Sequence, residues 1–200
     1  MTIRNWIKFF FSTLVVGGVV TGILGFIIRW DEFSNWFYDM DFSQIIPAFI
    51  WLVGVGFTFS VISQMGFFAY LTIHQFGVSF FRSSSLWNSV QLVIIALVLF
   101  DLIYFRFQKF AAAGESLVSY VLLAIGLLGY GVIVALIKSR QSKSNTFVSA
   151  LFFMIVVTVL EWLPVLTTNE KSWLYLMLFT LLACNTYQLL MLPKYNQRQG

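Results

Sequence analysis

The chain has 200 residues, of which 60% are hydrophobic and only 10% charged, with a net charge of +4 and a mean hydropathy of +0.87. A water-soluble domain needs roughly a quarter of its residues charged to cover its surface, so a soluble globule is excluded. The expected solvent is lipid.

Backbone amides in hydrocarbon must be satisfied within a helix or a closed barrel. The apolar runs are long and continuous, and each approaches the ~20 residues a helix needs to cross ~30 Å of hydrocarbon. Barrel strands are instead short, about 10 residues, and alternating. The expected fold class is therefore an all-α integral membrane protein, a bundle of six transmembrane helices with both termini cytoplasmic. Its spans fall at 9–28, 45–73, 86–105, 117–137, 147–165 and 173–192, forming one polytopic domain.

Arg4 and Lys8 precede the first run, which ends in Arg29-Trp-Asp-Glu32. It is longer than the ~7–15-residue core of a cleavable signal and is read as a retained span. Thr13, Gly17, Gly18, Thr21, Gly22 and Gly25 cluster on one side of it. Small residues at four-residue spacing let another helix approach closely. Gly18 and Gly22 therefore serve either packing within the bundle or docking of a separate membrane protein. Gly126, Gly129 and Gly131 in the fourth run invite the same two readings.

The second run, 45–73, would be ~43 Å long as a straight helix. It must tilt, project beyond the bilayer or break, and Gly54 and Gly56 mark the expected bend. Along it Gly56, Ser60, Ser63, Gln64, Phe67, Tyr70 and His74 recur at three- and four-residue intervals and so share a face. Asn88 and Gln91 in the third run, and Thr180, Cys184, Asn185 and Gln188 in the sixth, add polar groups. Such groups act either as interhelical hydrogen-bonding partners or as the lining of a recognition groove or small cavity. The stretch from His74 to Ser85 is too short and polar to span, and is expected to lie against the headgroups.

Two acids fall inside runs: Asp101 is the 16th residue of the third and Glu161 the 15th of the fifth. Intramembrane carboxylates are costly and usually pair or serve a function. The partners considered are Arg29, Arg106, Lys109, or each other sharing a proton. Either a structural ion pair or a proton-linked or ligand-binding role follows. Gln64, Asp101, Glu161 and Asn185 make up the candidate intramembrane polar site. Pro164 removes the helical bond to the Leu160 carbonyl and predicts a kink.

Basic residues accumulate on the cytoplasmic side of membrane proteins. With the amino terminus inside, Arg4, Lys8, Arg82, Lys138, Arg140, Lys143, Lys194 and Arg198 lie inside. Arg29, Arg106, Lys109 and Lys171 lie outside, with Asp31, Glu32, Asp39, Asp41, Glu115 and Glu170. Basic inner loops suit anionic headgroups, and no basic patch of nucleic-acid-binding type is present. One His and one Cys cannot supply a metal centre. No zinc-protease, phosphate-loop or nucleophile-elbow motif occurs. No catalytic residue, metal or cofactor is expected.

The string Ser63-Gln-Met-Gly-Phe-Phe-Ala-Tyr-Leu-Thr-Ile-His74, then Phe81-Arg-Ser and Leu86-Trp-Asn88, resembles the KinB-signalling pathway activation proteins of spore-forming Bacillus relatives. So do the Gly-rich opening ending Arg29-Trp-Asp-Glu32, Leu160-Glu-Trp-Leu-Pro164 and Cys184-Asn-Thr-Tyr-Gln188. The resemblance implies a multi-pass plasma-membrane accessory that lets a membrane sensor histidine kinase feed the sporulation phosphorelay. It brings no catalytic residues. The expected partners are the bilayer and such a kinase, with self-association left open and no nucleic acid. The candidate kinase contacts are Gly18, Gly22, His74 and Arg82. A small proton-linked transporter or permease with Asp101 and Glu161 in its path is the alternative, and a membrane-embedded enzyme the third reading.

Overall fold

The computed structural model describes residues 2–111, 116–142 and 146–196. Lys143, Glu115 and Arg198, used above in the charge count, lie outside them. Every regular element among the described residues is a helix: α1 (Ile3–Ile28), α2 (Trp30–Tyr38), α3 (Phe42–Phe81), α4 (Ser84–Phe110), α5 (Val118–Gln141), α6 (Phe147–Thr168) and α7 (Lys171–Asn196). Six of them, all but α2, are long and apolar enough to cross a membrane.

Helix ends follow local chemistry. The Thr2 hydroxyl accepts the Asn5 amide at 3.4 Å and starts α1. Ser83 does the same for Leu86 at the start of α4. Three non-glycine residues adopt positive φ, namely Met40, Arg82 and Asn169. Each sits in a short connection between consecutive helices, where one left-handed residue ends a helix and turns the chain. The second expected span is longer than its hydropathy suggested. It continues through His74 to Phe81, so α3 has 40 residues, about 60 Å of helix. The stretch His74–Ser85 continues α3 as helix to Phe81, its last two turns, with the stop at Arg82.

Helix α6 is not regular. Residues Phe153–Val157 form a π-helical segment, which fits an extra residue into one turn. The irregularity lies before Pro164, which sits within continuing helix.

The chain divides into two compact units, Met1–Gly66 with Glu161–Gly200, and Phe67–Leu160. In the first, α1 turns its small residues inward and its large ones outward: Thr13, Gly17, Gly18, Thr21, Gly22 and Gly25 are buried, while Val15, Val19, Ile23 and Ile27 are exposed. A water-soluble helix shows the reverse pattern. The buried face meets α3 and α7. A side chain at Gly56 would strike the Gly17 carbonyl and come within 2.8 Å of the Gly18 Cα. Gly18 faces Phe57 and Val53, and Gly22 faces Phe49 and Val53. Thr21 and Thr180 hydroxyls bond at 2.8 Å between α1 and α7. The buried Trp162 donates to the Leu174 carbonyl at 2.9 Å.

The second unit packs the end of α3 with α4, α5 and the start of α6. Phe67, Tyr70, Phe152 and Phe153 form an aromatic cluster. Gly131 meets Ile155 and Leu151, whereas Gly126 and Gly129, expected to act likewise, face open space.

Gly54 and Gly56 separate packing from propensity within two residues, since a Cβ at Gly54 meets nothing within 4 Å. Gly56→Ala is expected to destabilise the purified protein by about 1–3 kcal/mol through overpacking. Gly54→Ala should be neutral or stabilising by up to ~1 kcal/mol through helix propensity. Detergent unfolding of both variants tests this, and equal effects would contradict the packing.

Candidate functional site

A chain of buried polar groups in the first unit, Gln188, Ser63 and Asn185, ends on Glu161. Glu161 is 6% exposed, Gln64 2%, and Ser63, Asn185 and Gln188 are fully buried. The i, i+3 spacing on α7 places Asn185 and Gln188 on one face, and both reach Ser63 on α3. The Gln188 amide donates to the Ser63 hydroxyl at 2.5 Å. Ser63 donates to Asn185 Oδ1 at 2.6 Å. Asn185 Nδ2 donates to Glu161 Oε2 at 2.7 Å. Gln64 reaches back one turn to Ser60 at 3.4 Å.

Gly66 makes room for the acid. A Cβ there would collide with Glu161 Oε1, so the carboxyl lies directly against the α3 backbone. Glu161 has no ion-pair partner among the described residues; the ion pair at the α1–α2 junction is Arg29 with Glu32, at 2.7 Å. Arg29 is further held over Phe33, Trp51 and Trp173. It is therefore not the partner expected for Glu161. Gly66 has no sequence signal of its own: a glycine inside an apolar helix is read only from what faces it.

The other candidate residues lie elsewhere. Asp101 is exposed on α4 with no hydrogen-bond or ion-pair partner among the described residues, and it is not part of this network. Gly18 and Gly22 are buried under α3 side chains, so that face is occupied from within the unit. In the second unit His74 Nδ1 accepts the Trp87 indole at 3.1 Å, and Trp87 lies on Gly77 and stacks on Phe81 at 5.7 Å. Tyr70 donates to the Ser149 carbonyl at 2.8 Å. Arg82 is exposed at the left-handed end of α3.

Two comparisons bear on the whole chain. The family model for KbaA, KinB-signalling pathway activation in sporulation, matches residues 17–195. The chain belongs to this family. The KinB-signaling pathway activation protein of Bacillus subtilis (strain 168) is 53% identical over 195 residues, covering 98% of each chain. No solved structure matches the chain. The KbaA match spans the Glu161 network together with His74 and Arg82.

Replacing Glu161 separates hydrogen bonding from apolar filling. Gln keeps an acceptor for Asn185, whereas Leu leaves a buried amide without its partner, which costs about 1–3 kcal/mol. Glu161→Gln should therefore accumulate and melt near the wild type, with Glu161→Leu well below it. Equal losses in membrane level and melting temperature would show that the network does not hold the unit.

Proposed function

We propose that the chain is a non-enzymatic, multi-pass plasma-membrane accessory that activates a membrane sensor histidine kinase feeding the sporulation phosphorelay. The observation that carries this reading is membership of the KinB-signalling pathway activation family over residues 17–195. The relative's name supports it. Six long apolar helices support insertion in a bilayer, and the bias of Lys and Arg toward alternate connections supports cytoplasmic termini. A permease would call for Asp101 and Glu161 on one path. Asp101 is exposed and Glu161 buried, which favours the accessory reading.

Activation then works through contact free energy. A bound protein shifts a two-state kinase only by its different affinity for the two states, typically ~1–3 kcal/mol. Contacts in lipid reach this range with few groups, because interhelical hydrogen bonds there average ~0.6 kcal/mol. The contact is placed on the last turns of α3. There Phe76 and Phe80 are 70% and 81% exposed, Arg82 adds a positive charge, and His74, Gly77, Phe81 and Trp87 brace the helix end.

The test is co-purification with candidate membrane kinases in mild detergent, with kinase output measured in parallel. Phe76→Ala/Phe80→Ala and Arg82→Ala should lower both association and output while the protein level stays normal. Normal association and output in both variants would place the contact elsewhere. No association of the wild-type chain with any such kinase would sink the accessory reading.

A further inference from the structure

Asp101 is an acid that neither the Glu161 network nor the kinase contact uses. From Leu92 to Phe105, α4 is apolar apart from Asp101 and Tyr104. The acid lies about 8 Å of helix before Arg106, where basic residues resume, and about 26 Å beyond Ser84. It is exposed, and so are the residues at helical spacing around it, Val93, Leu97, Phe100, Tyr104 and Gln108. The Gln108 amide donates to the Tyr104 hydroxyl at 2.7 Å and continues the polar stripe. Helix α4 is also the least buried of the six long apolar helices.

Nothing among the described residues neutralises the acid. Asp101 makes no hydrogen bond or ion pair there; Arg106, five residues on, lies over the Tyr120 ring of α5 at 5.2 Å. Lys109 Nζ lies over Phe110 at 5.0 Å. Acids within membrane spans are rare and almost always face protein or a water-filled cavity. Lys and Arg escape to the headgroups on long apolar stems, but a carboxyl on one methylene group is too short for that. What Asp101 lacks is a cation at its own depth.

We propose that this stripe of α4 docks a transmembrane helix of another protein, one that carries a single Lys or Arg at the depth of Asp101. Charge complementarity selects that occupant. A second copy of this chain brings another Asp101, and none of its six apolar runs contains a Lys or Arg. The inference rests on the reading of the chain as membrane-spanning. It is separate from the kinase contact on the last turns of α3, which join the opposite end of α4.

The test uses the full chain, labelled at its amino terminus, in phosphatidylcholine vesicles. The probes are labelled leucine-rich peptides of ~20 residues, long enough to span. One carries Lys about 8 Å from one end of its apolar run, and two others carry Gln or Leu there. Association is read as energy transfer. The Lys peptide should bind roughly 3–20-fold more tightly than the Leu peptide, the range that interhelical hydrogen bonds cover. Asp101→Leu should remove that preference, and Asp101→Lys should prefer an Asp-bearing peptide instead. Asp101→Asn, the milder change, should also lose most of the preference for Lys.

Because the acid is exposed and unpaired, Asp101→Leu should insert and melt no lower than the wild type. A lower melting temperature would reveal an internal partner and overturn the proposal. So would equal binding of the Lys peptide and either other peptide, or a Lys preference that survives in Asp101→Leu. Energy transfer between copies of the chain that Asp101→Leu abolishes would make a second copy the occupant, against the proposal. A chain stripped from the vesicles by alkaline carbonate would instead overturn the membrane reading, and this inference with it.

Discussion

A carboxyl group removed from water must find donors or a positive charge, and Glu161 finds one donor, Asn185. Much of the first unit is arranged around that condition. Asn185 is oriented by Ser63 and Ser63 by Gln188, so three side chains from two helices are locked to serve one acid. Gly66 withdraws its side chain to admit the carboxyl, and Trp162, next in sequence, is pinned to the Leu174 carbonyl. Hydrophobic burial between helices contributes little where the surroundings are lipid, so hydrogen bonds and close packing carry more of the association. The first unit uses both.

Close packing also holds the first unit together. Helix α1 presents glycines and threonines to α3 and α7 and keeps its valines and isoleucines outside. The Gly17 and Gly56 backbones meet with no room for a side chain between them. That approach brings Thr21 within bonding distance of Thr180. Near the other end of α1, Asn5 reaches the Tyr195 carbonyl at 3.0 Å. The small residues of α1 are thus spent on internal packing.

Much of this is legible in the amino-acid pattern. Hydropathy places six spans, and the polar residues Ser63 in the second and Asn185 and Gln188 in the sixth mark the groups that meet; Gln64, on the same polar face by spacing, bonds Ser60 instead. Glu161 stands out because an acid in an apolar run is costly. Other features depend on what lies opposite, which a linear pattern does not carry. Asp101 and Glu161 look alike by depth, yet one is exposed and the other buried, because hydropathy does not say which side of a helix a residue takes. Gly66 acquires its role only from the carboxyl that faces it. The π segment at Phe153–Val157 has no residue signature, and the continuation of α3 past Ile73 reflects the lack of a stop signal before Arg82.

The Ser63–Asn185 hydrogen bond between α3 and α7 orients the donor that Glu161 receives. A double-mutant cycle with Ser63→Ala and Asn185→Ala, read as unfolding free energy in detergent, tests it most directly. The account predicts that the two losses are not additive, with a coupling of about 0.6–1.7 kcal/mol, the range of interhelical hydrogen bonds in membranes. Losses that add to within ~0.3 kcal/mol would contradict it.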